Sequence, residues 1–199
     1  GAVALGGIIV GVVMAGPVVR SGNDDGDEAK VRIGLQVAPV ELNLHGKNRA
    51  LVGMGSYIVN VVGDCDGCHS AGPATQFLPG ANPYFIGQTA TINPATYLGG
   101  GRDFAVTGPN GTFHVVSRNL TPDHTGRPIG GDTFEEFVHT LRTGIDPDQV
   151  HPQLPAPFDG TLLQVMPWPA LGKMTDRDLR AIYEYLSAIP CIEGPDHEC

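Results

Sequence analysis

The sequence predicts an all-α fold that carries a long loop with a β-hairpin as an insertion. Three segments repeat apolar residues at helical spacing, at 48–62, 133–143 and 176–188. Between the first two, the chain becomes rich in Gly, Pro, Asn and Thr, within a total of 28 Gly and 17 Pro in 199 residues. An uncharged apolar segment at the N-terminus is expected to add one more helix.

The first 19 residues contain no charged side chain. A helix of that length spans about 28 Å, close to the hydrocarbon thickness of a bilayer. We therefore expect residues 1–20 to form an apolar helix that anchors the chain in a membrane. Two alternatives stay open for this segment: packing into a neighbouring subunit, and the remnant of a secretory signal.

An acidic linker and an extended lead-in are expected over residues 21–47, because the stretch SGNDDGDEAK at 21–30 is polar and acidic. The soluble domain is predicted over 48–190. The remaining tail, 191–199, contains Cys191 and Cys199, which either form a disulfide or stay as free thiols.

The first predicted helix runs from Asn48 to Val62, with an apolar face that includes Leu51 and Val61. Gly63 is typical of a helix end, since glycine adopts the backbone conformations that stop a helix at little cost. The helix leads directly into a five-residue cysteine motif.

The second helix is predicted over Thr133–Thr143. Asp132 is expected to be the N-cap, with Glu135 completing a capping-box pattern three residues later. Gly144 supplies the C-terminal stop.

The third helix is predicted over Asp176–Ala188. Thr175 is the expected cap, Asp178 follows three residues later, and Pro190 prevents continuation.

The stretch between Ser70 and Gly131 is predicted to be a long loop that contains one β-hairpin. Two short runs have strand character and two clusters have turn character. The strands are expected at Thr89–Ile92 and Thr112–Ser117, and the turns at Gly99–Gly101 and Pro109–Gly111.

The charge of the chain argues against nucleic acid as a partner. It has 12 Lys and Arg against 21 Asp and Glu, a net charge of −9, and no basic block. No paired-carboxylate or nucleophile arrangement stands out either, so no small-molecule substrate is expected.

The motif Cys65-Asp66-Gly67-Cys68-His69 indicates covalent haem attachment. Two thiols with two residues between them add to the two vinyl groups of one haem, and the histidine that follows becomes an axial iron ligand. A zinc site would need a second ligand pair at similar spacing, and Cys191 with Cys199 lies too widely spaced to supply one. Such attachment occurs outside the cytoplasm, where a disulfide also persists.

The sixth iron ligand is predicted to be Met166. Pro167 restricts this residue to extended conformations, which holds the thioether in place without a helix. Met54 lies too close to the motif, Met174 has a packing role before the third helix, and His151 is the best rival because it also precedes a proline in a loop.

Four stretches resemble the class I monohaem cytochrome c domains, and in particular the haem modules of cytochrome subunits that serve periplasmic alcohol, gluconate and aldehyde dehydrogenases. They read GMGSYIVNVVGDCDGCH, SRNLTPDHTG, TFEEFVHTLRTG and MPWPALGKMTDRDLRAIYEYLSAIP. The resemblance implies a cytochrome c fold in which the first and last helices cross, with His69 and Met166 as iron ligands. It also implies a loop from Asn119 to Asp123 near the haem edge.

Two departures separate this sequence from that group. The family's subunits usually carry three haems, whereas this chain has one motif, so the resemblance does not identify the electron donor. The insertion from Phe77 to Phe113 is also long, and is suited to shielding the haem or contacting a partner.

Three further side chains, Arg118, Arg142 and Trp168, are candidate donors to the haem propionates. The expected function is outer-sphere electron transfer between redox proteins on the periplasmic or extracellular side. Two alternatives stay open: a haem subunit of a permanent complex or polymeric conduit, and a sensor or enzyme with an open sixth position.

Overall fold

The computed structural model describes residues 22–147, 154–194 and 199. Its regular elements, in chain order, are α1 (Gly22–Val37), α2 (Arg49–Tyr57), a π-helical segment (Ile58–Val62), α3 (Cys65–His69), α4 (Pro73–Gln76), β1 (Asp103–Gly108), β2 (Gly111–Val116), α5 (Phe134–Thr143), α6 (Trp168–Leu171) and α7 (Asp176–Leu186). The described part is therefore helical with one small hairpin.

The helix predicted at 48–62 is present, in two parts. Asn48 caps α2 by accepting hydrogen bonds from the backbone N–H groups of Ala50 and Leu51, at 3.0 and 3.2 Å. The π-helical segment Ile58–Val62 then continues α2 toward the cysteine motif. Such wider turns are frequent at functional sites, because they re-aim the side chains that follow.

The core of the domain forms where α2 packs against α7. A Cβ atom on Gly55 would lie 1.9 Å from the carbonyl oxygen of Ala181, so the two backbones meet at a point where only glycine fits. The face of α7 that is buried here consists of Leu179, Ala181, Ile182, Tyr185 and Leu186. The first and last helices predicted from the sequence thus pack against each other, as the resemblance implied.

A buried polar network lies at the same packing interface. The hydroxyl of Tyr97 is 2.6 Å from Asn60 Oδ1 and 2.8 Å from the hydroxyl of Tyr185, and both tyrosines are fully buried. Asn60 Nδ2 also donates to the hydroxyls of Tyr185 and Ser56. Because buried polar groups cost free energy unless they are paired, this network stabilises one register of the π-helical segment against α7.

The structure differs from the prediction over 21–47, where an acidic linker and extended lead-in were expected. Helix α1 occupies Gly22–Val37. A Cβ atom on Gly34 would lie 1.9 Å from Gly53 O, so α1 packs directly on α2. The hydroxyl of Ser56 donates to Gly34 O at 2.6 Å, and Asp27 pairs with Arg177 of α7 at 2.8 Å. Tertiary packing thus overrides the linker-like composition of this segment.

The start of α5 also differs by one residue from the prediction. Thr133 is the N-cap, and its partner in the capping box is Glu136 rather than Glu135. Asp132, the predicted cap, instead lies beside Arg118 with its Oδ1 3.5 Å from a guanidinium nitrogen. Gly144 ends the helix with a positive φ of 76°, as predicted. Helix α7 begins after Thr175, also as predicted.

The hairpin is present, but its first strand is not the predicted one. Strand β1 pairs antiparallel with β2 across the predicted turn at Pro109–Gly111. Thr89–Ile92 forms no strand, and only Ile92 makes a single bridge to Phe77. The pairing follows the short turn, since strands joined by a tight turn have the lowest loop-closure cost. The loop before it exposes Tyr84, Phe85 and Ile86.

The ends of the chain complete the description. No helix among residues 22–147 and 154–194 is long and apolar enough to cross a membrane, and the predicted apolar helix at 1–20 lies outside the described residues. In the tail, Cys191 and Cys199 form a disulfide.

The close approach of α2 and α7 makes Gly55 a sensitive position. We expect Gly55→Ala to destabilise the purified protein by ~1–3 kcal/mol, because the added methyl group overpacks the interface. Urea unfolding followed by circular dichroism measures the change. Gly26→Ala is the matched control, since nothing lies within 4 Å of its Cβ position on α1. Equal stability of Gly55→Ala and wild type would contradict the packing described above.

Candidate haem-binding site

The cysteine motif forms a single helical turn, α3, from Cys65 to His69. The turn starts after Asp64, which adopts a left-handed conformation with φ of 43° and so redirects the chain after the π-helical segment. Cys65 is partly buried and Cys68 is exposed, and neither forms a disulfide. Burial, and then the negative charge of Asp64, raise the pKa of Cys65 to about 12, so it is present as the thiol.

The imidazole of His69 is oriented by a backbone acceptor. Its Nδ1 lies 2.8 Å from the carbonyl oxygen of Arg118, which is 49 residues further along the chain. A carbonyl oxygen only accepts, so Nδ1 carries the proton and the lone pair lies on Nε2. This tautomer is the one that binds a metal through Nε2, with the second nitrogen held by a carbonyl group.

Asp66, between the two cysteines, is buried against the insertion. Its Oδ1 accepts a hydrogen bond from the backbone N–H of Leu98 at 3.0 Å. Its Oδ2 has no hydrogen-bond partner among the described residues, and the side chain is 5% exposed. Burial is the main cause that raises the pKa of this carboxyl from 3.8 to about 6, with the charge of Asp64 adding to it and the Leu98 hydrogen bond opposing it.

The insertion also holds the backbone of α3. Gly100 N–H donates to the carbonyl oxygen of His69, and the guanidinium of Arg102 donates to the carbonyl oxygen of Gly67. The last carbonyls of a helix have no partner within the helix, so these two contacts satisfy groups that would otherwise need water. The insertion therefore packs directly on the motif, and its shielding of the haem stays a prediction.

Met166, the predicted sixth ligand, lies in the loop before α6. It is partly buried and packs against the same core cluster as Cys65. The loop is tied down on both sides: Trp168 N–H donates to the Met166 carbonyl at 2.8 Å, and Leu163 N–H donates to Gly144 O at 2.8 Å. The thioether is thus carried by a loop of restricted backbone, as expected from its proline neighbour. Ligation of iron by Met166 stays a prediction.

The rival ligand, His151, lies outside the described residues. Among the described histidines, His69 is the partly buried one, and the others are exposed: His45, His114, His124 and His139. Within the same ranges, no three His, Cys, Asp or Glu side chains come together as a metal site of their own.

The three candidate propionate donors all have protein acceptors. Arg118 bonds Asp146 at 3.2 Å and Asp132 at 3.5 Å. Arg142 pairs with Asp176 at 2.7 Å and donates to the carbonyl oxygen of Gly172.

Trp168 Nε1 donates to the carbonyl oxygen of Leu163 at 3.2 Å. These side chains hold α5, α6 and the loops beside them together. Their contact with a propionate stays a prediction.

Asn119, expected in a loop near the haem edge, directs its side chain to the tail. It is fully buried, and its Nδ2 donates to the carbonyl oxygen of Ile192 at 2.7 Å. Its Oδ1 accepts from both the backbone N–H and the hydroxyl of Thr121, each at 2.8 Å. This link between the loop and the tail has no signature in the sequence.

Comparison with known proteins agrees with the resemblance read from the motifs. The chain is 31% identical over 150 residues to the cytochrome c subunit of the quinone alcohol dehydrogenase of Gluconacetobacter polyoxogenes. This alignment covers 75% of the chain and 24% of that subunit. It is 27% identical over 152 residues to the fructose dehydrogenase cytochrome subunit of Gluconobacter japonicus, covering 76% and 24%. It is 30% identical over 138 residues to the gluconate 2-dehydrogenase cytochrome c subunit of Pantoea cypripedii, covering 69% and 23%.

No protein-family model matches the chain. The alignments span about a quarter of the length of these relatives. The similarity to the cytochrome subunits of alcohol and gluconate dehydrogenases, predicted from the four stretches, is confirmed, and a fructose dehydrogenase subunit is a further relative.

The raised pKa of Asp66 predicts a pH-dependent stability. Between pH 4 and 6 the unfolded chain loses this proton while the native protein keeps it, so the free energy of unfolding falls as pH rises, by up to ~3 kcal/mol at pH 7. Urea titrations of the haem-loaded protein at pH 4, 5, 6 and 7 measure this slope. Asp66→Asn should flatten it, whereas Glu41→Gln, at an exposed carboxyl, should retain it. An unchanged slope in Asp66→Asn would assign it to other groups.

Proposed function

We propose that this chain binds one haem c covalently and transfers single electrons between redox proteins outside the cytoplasm. The observation that carries the proposal is the 2.8 Å contact of His69 Nδ1 with the Arg118 carbonyl, immediately after two thiols on the same helical turn. This arrangement fits a haem, because thioether attachment and axial ligation need both thiols and a Nε2 lone pair on one short element.

The residues of the chain have distinct parts in this function. The thiols of Cys65 and Cys68 would hold a haem covalently, since addition of each S–H across one vinyl double bond would give two thioethers with no leaving group. His69 would hold the iron through Nε2, and Met166 would supply a thioether as a second ligand. When bound, the haem supplies the reversible one-electron couple of its iron.

Apolar side chains precede both predicted ligands. Val61 and Val62, at the end of the π-helical segment, are 48% and 63% exposed, and Val165 beside Met166 is 37% exposed. These side chains are suited to contact an apolar ring, which would remove them from water. An apolar surrounding of this kind, with a thioether from Met166, would favour reduced iron and give a higher midpoint potential than two histidine ligands would.

The location and partners follow from the chemistry and the relatives. The Cys191–Cys199 disulfide agrees with an oxidising compartment outside the cytoplasm. The relatives are named as cytochrome subunits of dehydrogenases, so we propose that this chain accepts electrons from an oxidoreductase and passes them to a further redox protein. Anchoring by residues 1–19 is proposed from their apolar composition. Extraction of the full chain from membranes only by detergent would support this anchoring, and release by salt alone would oppose it.

Covalent attachment makes Cys65 and Cys68 individually necessary for full saturation of the vinyl groups. We expect Cys65→Ala and Cys68→Ala each to leave one unsaturated vinyl, which shifts the reduced absorption band of the pyridine haemochrome to longer wavelength. The shift is measured on purified protein under denaturing conditions. Cys191→Ser, outside the motif, is the matched control and should keep the wild-type band. Wild-type protein without covalent haem would overturn the proposed function.

Axial ligation by Met166 predicts a weak near-red band from sulfur-to-iron charge transfer in the oxidised protein. Met166→Ala should abolish this band and lower the midpoint potential, because the ferrous iron loses its thioether. Met174→Ala is the matched control, since Met174 also packs on the core before α7 and should keep the band. Absence of the band from the wild type would point to a histidine such as His151 or to an open position, and to the alternative functions considered above.

A further inference from the structure

The position of the Arg118 carbonyl depends on a set of loop contacts. Gly101 N–H donates to Ser117 O at 2.8 Å, and Leu120 N–H donates to Leu98 O at 2.9 Å. A Cβ atom on Gly100 would lie 2.5 Å from the backbone nitrogen of Asn119. The two loops therefore lie in direct backbone contact on either side of the carbonyl that accepts from His69.

The residue after this carbonyl is held by the tail. Asn119 and Thr121 together bind the backbone of Ile192 on both of its polar groups. Asn119 Nδ2 donates to Ile192 O at 2.7 Å, and Ile192 N–H donates to the hydroxyl of Thr121 at 3.0 Å. Both polar side chains are fully buried. Their loss would leave buried donors and acceptors unpaired, which makes this contact more costly to break than an exposed one.

The tail itself is closed into a ring. Ile192 directly follows Cys191, which is bonded to Cys199. A Cβ atom on Gly194 would lie 2.3 Å from Gly99 O and 2.5 Å from Asn119 Nδ2, so the described part of the ring is pressed against both loops. A cross-link next to the docked residue restricts the conformations that the tail has when it is undocked, and this favours the docked state.

We propose that Asn119, Thr121 and the Cys191–Cys199 disulfide form a positioning clamp that holds the Arg118 carbonyl on His69 Nδ1 and thereby sets how strongly His69 donates to the iron. The proposal rests on the proposed function. A hydrogen bond from Nδ1–H increases the basicity of the ligating imidazole and stabilises ferric iron. Releasing the clamp therefore weakens the hydrogen bond from His69 Nδ1–H, lowers the basicity of the imidazole and raises the midpoint potential.

The test compares variants of the full, haem-loaded chain. We expect Asn119→Ala, Thr121→Val and the double change Cys191→Ser with Cys199→Ser to retain covalent haem. In each, the exchange of the His69 Nδ1 proton, followed by NMR in the reduced protein, should become roughly tenfold faster, as for the loss of about one hydrogen bond. The midpoint potential should rise in the same variants. Thr121→Ser keeps the hydroxyl and should behave as the wild type.

A matched control separates the positioning role of the clamp residues from a purely structural role. Thr175→Ala removes the N-cap hydroxyl of α7, which accepts from the backbone N–H of Asp178 at 3.1 Å, and so lowers stability without touching the clamp. If the clamp variants match Thr175→Ala in proton exchange and potential at equal stability, the proposal is overturned. If Asn119→Ala fails to fold, the Thr121→Val and Thr121→Ser pair decides by the same readouts. Failure of the proposed function is distinguishable, because the wild type would then lack covalent haem.

Discussion

The hydrogen bond between His69 Nδ1 and the Arg118 carbonyl is the contact on which the organisation of the site depends. It joins two parts of the chain that are 49 residues apart, and it determines both the tautomer and the plane of the imidazole. A short helical turn such as α3 does not hold its own side chains rigidly, because it has few internal hydrogen bonds. The insertion at 77–113 supplies the rigidity. The backbone N–H of Leu98 binds the Asp66 side chain, and Gly100 and Arg102 donate to backbone carbonyls of the motif.

A second constraint comes from the core. The contact of α2 and α7 at Gly55 requires both helices to keep one register, and the network of Tyr97, Asn60 and Tyr185 satisfies the polar groups at that register. The π-helical segment carries Asn60, so it joins this network to the cysteine turn that follows. Tyr97 also directly precedes Leu98, whose N–H binds Asp66. Packing of the helices and placement of the motif are therefore coupled through neighbouring residues in the chain.

The elements that could be predicted from the sequence are those whose signals are local. Apolar periodicity and caps located α2, α5 and α7, and the five-residue spacing located the motif. Helix α1 was missed because its composition resembles a linker, and its packing on α2 depends on two glycines, Gly34 and Gly53, that carry no periodic signal. The cap of α5 was misplaced because Asp132 and Thr133 both suit an N-cap. In the structure Asp132 lies beside Arg118 instead.

The site shows the same division between local and distant signals. Cys65, Cys68 and His69 follow from spacing, whereas the acceptor of His69 is a backbone carbonyl and leaves no trace in side-chain identity. The burial of Asp66 was equally unpredictable, since it depends on contact with Leu98 of the insertion, which lies 32 residues further along the chain. Asn119 was expected near the haem edge, and its bonds to Ile192 span 73 residues. Contacts of that range need the fold itself.

The ion pairs of Arg118 give this side chain an anchoring role, and its contact with a propionate stays a prediction. Its side chain is 17% exposed and lies between the side chains of Asp132 and Asp146, which are 8% and 5% exposed. The same two ion pairs hold residue 118 from its side-chain end while the tail holds its neighbour Asn119. The carbonyl between them is thus restrained from both directions, as an imidazole of fixed orientation requires.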